Sequence, residues 1–171
     1  MKKIRYFKVW SIIKRSPQGP LTENEANRYH LEGVSYSVVP ESVSSSTPII
    51  TLNSIPGFIG ITAVDHELRV TYSSNFSRTK PTLPCRLALV FHFEFSSGDE
   101  WVKKTTYSMS ADGRIHREIR TFNPPNAIVT EIAGDFDLPE IPFPDFGHFE
   151  LCYAYQEPDF AAFFRDATQN E

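Results

Sequence analysis

Residues 87–102 read LALVFHFEFSSGDEWV, and this stretch decides the fold class. Apolar side chains stand at every second position, which places them on one face of a β-strand; they are Leu87, Leu89, Phe91, Phe93 and Phe95. A Ser-Gly-Asp turn at 97–99 leads to a returning strand that begins at Trp101. The pattern predicts an antiparallel hairpin with one buried face, whose opposite face carries His92 and Glu94.

Further strand signals lie on both sides of this hairpin. Strands are predicted wherever β-branched and aromatic residues cluster or alternate, at 4–14, 34–39, 48–64, 67–73, 101–109, 114–122, 127–132 and 148–155. Pro56-Gly57 predicts a turn inside 48–64, and Asp112-Gly113 predicts a tight hairpin turn. SPQGP at 16–20 is expected to break the first strand, and 40–48 and 73–84 to form loops.

Two short helices are predicted between and after these strands. Thr22 and Glu25 have the spacing of a capping box, so a helix over about 22–31 is expected to end at Gly33. A second helix is predicted near 158–168. The fold class is therefore predicted as α+β: a mainly antiparallel β-sheet packed with two short helices, rich in loops. Residues 134–147 are predicted to form an extended, acidic, Pro-rich arm.

The chain of 171 residues suits a single domain, 1–171. No apolar run approaches the roughly 20 residues of a membrane-spanning helix, because Arg5, Lys8 and Lys14 interrupt the apolar start. We therefore expect a mature protein made in the cytosol. Cys85 and Cys152 are expected to be buried free thiols, with a single disulfide as the less favoured alternative.

No linear motif indicates catalysis. There is no nucleophile elbow, no Gly-rich phosphate loop and no closely spaced histidine pair. His92 with Glu94, and His116 with Glu118, are the pairs that could share a face, and a solvated sheet surface is the favoured interpretation of both. We therefore predict that the protein is not an enzyme and binds neither a metal nor a cofactor.

Charge is unevenly distributed along the chain, although the formal net charge is only −4. Residues 1–20 hold six basic side chains and no acid, whereas 135–171 hold nine acids and one base, Arg165. A second basic cluster lies on the predicted hairpin of residues 101–122. Either basic cluster suits phosphates or anionic lipid headgroups, or else blunts a sheet edge. The candidate binding residues are Lys2, Lys3, Arg5, Lys8, Lys14, Arg15, Lys103 and Lys104.

The order of these elements resembles the globular part of rhabdovirus matrix proteins, over about residues 4–105. The resemblance is carried by the basic aromatic start IRYFKV, by Glu32-Gly33 before Tyr36, by TPIITLNSIPGF at 47–58, and by the strand that turns through Gly98 into Trp101. It implies an α+β fold and a structural role in which the protein self-associates, condenses the viral nucleoprotein–RNA and contacts an anionic membrane surface. The implied location is the virion and the host cytoplasm at the inner membrane face.

The resemblance also implies site residues. The family's hydrophobic loop matches Ile49, Ile50, Leu52, Ile55 and Phe58, which are assigned to self-association. Its basic region matches Lys2, Lys3, Arg5 and Lys8. The chain departs from the family in its acidic balance and in lacking a P-P-x-Y motif, since Asn126 follows Pro124-Pro125. A plant-infecting member that buds into internal membranes could dispense with that motif.

Two other functional classes stay open. The first is a small cytosolic immunity or inhibitor protein whose acidic residues 135–159 steer it to a basic partner enzyme. The second is an enzyme or lectin-like sandwich whose site is assembled across strands and leaves no linear motif.

Overall fold

The computed structural model describes residues 3–41, 43, 48–97, 100–134, 136–155 and 160. Their dominant feature is one antiparallel sheet, so the prediction of a mainly antiparallel β protein with few helices is confirmed. Its strands are β1 (Ile4–Ser11), β2 (Ser16–Leu21), β3 (Tyr36–Pro40), β4 (Ile49–Asn53), β5 (Phe58–Val64), β6 (Val70–Ser77), β7 (Cys85–Phe95), β8 (Trp101–Met109), β9 (Arg114–Phe122), β10 (Pro125–Ala133) and β11 (Glu140–Ile141).

The strands follow one another across the sheet in the order β10-β9-β8-β7-β6-β5-β4-β3-β1-β2, and β11 pairs separately with β7. From β3 to β10 the sheet is a meander, because each strand pairs with the next along the chain. The exception is the first hairpin, where β1 lies between β2 and β3. The outer edges of this path are therefore β2 at one end and β10 at the other.

The helix α1 (Glu23–Glu32) connects β2 to β3 across β1. The predicted capping box is present: the Thr22 hydroxyl accepts from the Glu25 N–H at 3.3 Å, and Glu25 Oε2 accepts from the Thr22 N–H at 2.8 Å. Gly33 ends the helix in a left-handed conformation with φ of 69°, as predicted, and its N–H donates to the Tyr29 carbonyl. Local sequence thus suffices to define this element.

The strand register places one continuous row of side chains on a single face of the sheet. The row runs strand by strand through Tyr6, Val38, Ile50, Ile61, Ser74, Val90, Tyr107, Arg117 and Thr130. Most of its central members are fully buried, because α1 and residues 136–155 pack over this side. We call it the covered face, and the other side, which carries Phe91, the opposite face.

The prediction that alternate residues from Leu87 to Phe95 share one face is wrong. Asn75 pairs with Leu89 while its neighbour Phe76 pairs with Leu87, so β7 contains one extra residue, Ala88. A β-bulge of this kind reverses the alternation. Leu87 is buried on the covered face, whereas Leu89 and Phe91 turn to the opposite face and are only partly buried. His92 consequently lies on the covered face, not on an outward polar one.

Residues 136–155, which include most of the predicted arm, cross the covered face. They pair with β7 through β11, and Phe146 then stacks on Tyr6 of β1 with ring centroids 5.3 Å apart. The chain returns to β6, where Tyr155 meets Phe76 edge-on. The strand predicted at 148–155 is also wrong, because α2 (Glu150–Tyr153) is a single helical turn there. The helix predicted near 158–168 lies outside the described residues except for Phe160, which stacks on Tyr107.

The segment SPQGP was predicted to break the first strand; β1 ends before it, at Ser11, and SPQGP itself forms most of β2. Pro17 pairs with Trp10 and Pro20 with Phe7. Because the two prolines are three positions apart, one of them turns its missing donor to the open side of this edge strand, and the other removes a hydrogen bond to β1. The loop predicted at 73–84 begins later than expected, since β6 continues to Ser77.

A smaller apolar cluster lies apart from the main core, around the start of the sheet and the β5–β6 turn. Its buried members are Phe7, Trp10, Val39, Ile49, Val64 and Val70, and Phe93 packs against it. Ile49 and Ile50 are neighbours on β4 and belong to different clusters, because successive side chains on a strand point to opposite faces.

Candidate functional site

The tip of the first hairpin is the most exposed apolar feature among the described residues. Four residues, 12–15, connect β1 to β2. Ile13 is 94% exposed and Ile12 is 60% exposed. The Lys14 N–H donates to Ser11 Oγ at 3.1 Å, and Arg15 adopts a left-handed φ of 50°, so the connection is a defined turn. Two adjacent isoleucines therefore lie in a turn at the surface, outside the core.

The predicted basic residues of the chain start are distributed from this turn to the far end of β1. Lys14 and Arg15 belong to the turn itself. Arg5 and Lys8 lie on β1, where Arg5 donates to the Glu41 carbonyl at 3.2 Å and the stem of Lys8 covers Gly19. No ion pair between described residues involves Lys3, Arg5, Lys8 or Lys14. Lys2 lies outside the described residues. We call residues 3–15 the basic hairpin.

The second basic cluster is separate from the basic hairpin. β8 is six strand positions from β1, or roughly 29 Å along the sheet at about 4.8 Å per strand. Lys103 is paired with Glu94 at 2.7 Å, and Arg114 and Arg120 are likewise paired with carboxylates. Lys104 turns to the opposite face, where its Nζ lies 4.5 Å from the centroid of Phe91. The structure thus does not join the two predicted basic regions into one surface.

The apolar residues assigned to self-association are mostly internal. Ile49, Ile50 and Leu52 are at most 1% exposed, because they belong to β4 and not to a loop. Phe58 is half-buried on β5. Ile55 alone is well exposed, at 72%, in the turn at 54–57 that Pro56-Gly57 predicted. A role for these residues in self-association stays a prediction, and within one folded chain only Ile55 offers its side chain to a partner.

An aromatic strip on the opposite face was missed at the sequence level. Phe93 lies 5.1 Å from Trp101, and Trp101 lies 6.1 Å from Phe122. Trp101 is 44% and Phe122 39% exposed. The strip arises because a second register shift, between Glu94 and Phe95, brings Phe95 opposite Trp101. Alternation alone gave no signal for it, since the rings come from three different strands.

The histidines that could have formed an acid–base or metal site do not converge. His92 is on the covered face, edge-on to Tyr72 and Tyr107 at 5.4 and 5.9 Å. His116 is on the opposite face, 2.9 Å from Glu131. In the part of the chain that the structure describes, no three His, Cys, Asp or Glu side chains are grouped to hold a metal ion.

Both cysteines are free and buried, as expected. Burial raises the pKa of the Cys85 thiol, whose Sγ donates to the Gly57 carbonyl at 3.2 Å. Burial, and to a lesser extent Cys85, raises the pKa of Cys152 to about 12. A thiol that resists ionisation is a poor nucleophile and a poor metal ligand. The two cysteines therefore act as small apolar residues in the core.

His30 is a partly buried ionisable residue on the covered face. It extends from α1, and its Nδ1 lies 2.9 Å from the Tyr36 hydroxyl, with Phe143 and Phe146 beside the ring. Burial lowers the pKa of His30, and the nearby Asp145 carboxylate opposes that shift. The same burial raises the pKa of Tyr36 above its ordinary range. The hydrogen bond thus joins α1 to β3, and the ring contacts of His30 join α1 to residues 136–155.

Acidic side chains are concentrated on the segment that crosses the covered face. Residues 136–155 carry Asp137, Glu140, Asp145 and Glu150, all exposed, and no lysine or arginine. Glu140 is paired with Arg86 at 2.9 Å. Beside that pair, Arg86 and residues 136–140 line a shallow groove of about 600 Å³. The other acids of the predicted acidic region, Asp135, Glu157 and Asp159, lie outside the described residues.

Comparisons with known protein families, with curated proteins and with solved structures found no match. Among the helices of the described residues, none has the length and apolar character needed to cross a bilayer.

Proposed function

We propose that this chain is a structural, non-enzymatic protein that binds an anionic membrane surface with its basic hairpin and assembles with copies of itself, the role of a matrix-type protein. In that role it would lie between membrane and nucleoprotein–RNA, in a virion and at the inner membrane face of the host cell. The sequence resemblance to rhabdovirus matrix proteins supports the viral setting. The hairpin geometry supports membrane contact on its own.

The exposed pair Ile12–Ile13 carries this proposal. Transfer of an isoleucine side chain out of water is worth roughly 1.5–3 kcal/mol, and most of the surface of both side chains is exposed among the described residues. Each lysine or arginine close to an anionic bilayer adds about 1 kcal/mol, and Lys14 and Arg15 are the next two residues. Interfacial membrane binding strengthens with buried apolar area and with attraction to anionic lipids, and this tip offers both.

The basic hairpin can be tested by vesicle sedimentation. Wild-type chain is expected to sediment with vesicles that contain phosphatidylserine, to release with added salt, and to ignore pure phosphatidylcholine. Replacing Ile12 and Ile13 by serine should weaken binding by about tenfold or more, since it removes the apolar term. Leu31→Ser is the matched control, because Leu31 is 75% exposed on α1. Equal loss in that control would contradict a specific role for the tip.

Tryptophan fluorescence offers a second, local measurement. The chain has two tryptophans, and Trp10 lies two residues from Ile12 whereas Trp101 is on β8. In a Trp101→Phe variant, emission from Trp10 is expected to change when anionic vesicles are added. A Trp10→Phe variant, which reports from Trp101, should change little. The reverse result would place the membrane contact on the aromatic strip instead.

A second candidate function is supported by the acidic segment. Four exposed carboxylates on residues 136–155, with no lysine or arginine among them, would steer the chain towards a basic partner such as a nuclease. That alternative, an immunity or inhibitor protein, predicts a tight one-to-one complex that weakens when Asp145 and Glu150 are replaced by lysine. It also predicts no affinity for vesicles, so the sedimentation experiment separates the two functions.

A further inference from the structure

The two edges of the sheet differ in how they are protected. β2 contains Pro17 and Pro20, and the Gln18 side chain donates back to Ser16 Oγ at 2.8 Å and to the Pro17 carbonyl at 3.0 Å. Prolines and self-satisfied backbone groups block the addition of another strand. β10 has proline only at its first residue, pairs with β9 without a register shift, and contains no lysine or arginine.

The outer side of β10 exposes apolar side chains as well as backbone. Val129 is 68% and Ile128 53% exposed, and they point to opposite faces of the sheet. No strand of the described residues pairs with this edge. A long, flat and apolar edge strand is a template for strand addition.

The hydrogen-bond pattern shows which residues of β10 point outward. The Ser110 N–H donates to the Arg114 carbonyl at 2.9 Å, so even-numbered residues of β9 bond to β8 and odd-numbered ones to β10. Ile119 is opposite Ile128, which therefore bonds inward, and Val129 points outward. The Ala127 N–H, accepted by Asn126 Oδ1 at 2.9 Å and not by β9, agrees with this assignment.

We propose that β10 pairs antiparallel with β10 of a second copy, with Val129 on the two-fold axis. In that register the outward residues Val129 face each other and Ala127 faces the partner's Glu131. Glu131 is the only charged residue of β10, so no like charges meet across the junction. A different protein would have to match this edge independently, whereas a second copy matches it by symmetry. The pairing specifies the surface used in the self-association of the proposed function, and in that respect rests on it.

The first test introduces a charge at position 129, on the proposed two-fold axis. Dimerisation is measured by sedimentation velocity over a wide concentration range. Wild-type chain is expected to dimerise, and Val129→Lys to raise the dissociation constant by at least about tenfold, since two like charges would meet. Leu31→Lys is the matched control and should dimerise as wild type. A mixture of Val129→Lys and Val129→Glu chains should form the heterodimer. Unchanged thermal unfolding of the Val129 variants excludes misfolding as the cause.

Disulfide trapping tests the register itself. In the hydrogen-bonded pair the two Val129 Cα atoms would be about 5.5 Å apart, within disulfide reach. Val129→Cys is therefore expected to cross-link on mild oxidation. Ile128→Cys should not, because its symmetry mate would lie roughly 8 Å away by strand spacings. Cys85 and Cys152 are buried and do not compete.

The outcomes separate this inference from the function on which it rests. A wild-type dimer that persists unchanged in Val129→Lys would overturn the β10 pairing and leave self-association standing. Wild-type chain that stays monomeric at every concentration would overturn both the pairing and the self-association. Binding to anionic vesicles is measured independently of either result, so the membrane part of the proposed function is judged separately.

Discussion

The two ends of the sheet, the β1–β2 end and the β9–β10 end, are built on opposite principles. At the first, prolines lie in the edge strand, α1 and Phe146 pack over the covered face, and Lys3, Arg5, Lys8 and Lys14 form no ion pair with another described residue. At the second, the edge is open, and Arg114, His116 and Arg120 are paired with acids. We propose that the first end contacts an anionic surface and that the second pairs with a strand of another copy.

Truncation of apolar side chains should show the largest difference between the two ends of the sheet. Leu52 is fully buried under the covered face near the closed end, whereas Ile128 is 53% exposed on the open edge. Leu52→Ala is expected to lower the free energy of unfolding by about 2–5 kcal/mol, since it leaves a cavity. Ile128→Ala should cost less than about 1 kcal/mol. Chemical denaturation measures both, with dilute protein so that the β10 edge is unpaired; equal losses would mean that the β10 end is as closely packed as the core.

The β2 edge should be able to pair with other copies of the chain when its prolines are replaced. A Pro17→Thr, Pro20→Thr double variant restores backbone donors and β-propensity to β2. In a Val129→Lys background, which blocks β10, this variant is expected to associate about tenfold or more strongly than its parent, as read by light scattering. Pro81→Thr, at an exposed loop position, is the control. If association does not increase, proline is not what protects this edge.

The helix that covers the closed end depends on its cap. Thr22→Ala removes the acceptor for the Glu25 N–H and one side of the capping box. The free energy of unfolding should fall by about 1 kcal/mol. Thr22→Ser keeps the hydroxyl and should retain most of the stability. A loss as large in serine as in alanine would show that the methyl group, rather than the cap, holds the start of α1.

Sequence predicted the elements that local chemistry defines. The cap at Thr22, the left-handed stop at Gly33 and the Asp112-Gly113 turn were all located correctly, because the residues that decide them lie within a few positions. The alternation from Leu87 to Phe95 failed because a bulge at Ala88 is set by the facing strand β6. Local spacing carries no information about a partner strand's register.

Whether a strand lies at the edge of the sheet is likewise not determined by its local sequence. Pro17 and Pro20 suggested a break because proline disrupts a central strand. An edge strand tolerates proline, but strand order cannot be read from a single segment. The cations of the basic hairpin were evident in the sequence, but Ile12 and Ile13 were assigned to a strand that in fact ends at Ser11. The openness of β10 likewise follows only from the order of strands in the sheet.

Acidification should lower the free energy of unfolding through His30, at the β1–β2 end of the sheet. This effect is expected to be smaller than those of the substitutions above. Burial lowers the pKa of His30 below its ordinary value of 6.5, so the unfolded chain takes up a proton at a higher pH than the folded chain does. The contribution of neutral, buried His30 to the stability of the folded chain is therefore complete above pH 6.5. It is lost as the pH falls through the pKa of His30 in the folded chain.

The measurement is the free energy of unfolding between pH 7.5 and pH 5. It should decline more steeply in wild type than in His30→Gln, whose side chain does not titrate. Burial of the imidazole against Tyr36 and Phe143 has to be the cause, because the nearby Asp145 carboxylate acts in the opposite direction. Asp145→Asn, which removes that opposing charge, should therefore make the decline steeper. Parallel curves for wild type and His30→Gln would mean that His30 takes up its proton without weakening the contact between α1 and residues 136–155, and the pH sensitivity assigned to the closed end would have to be withdrawn.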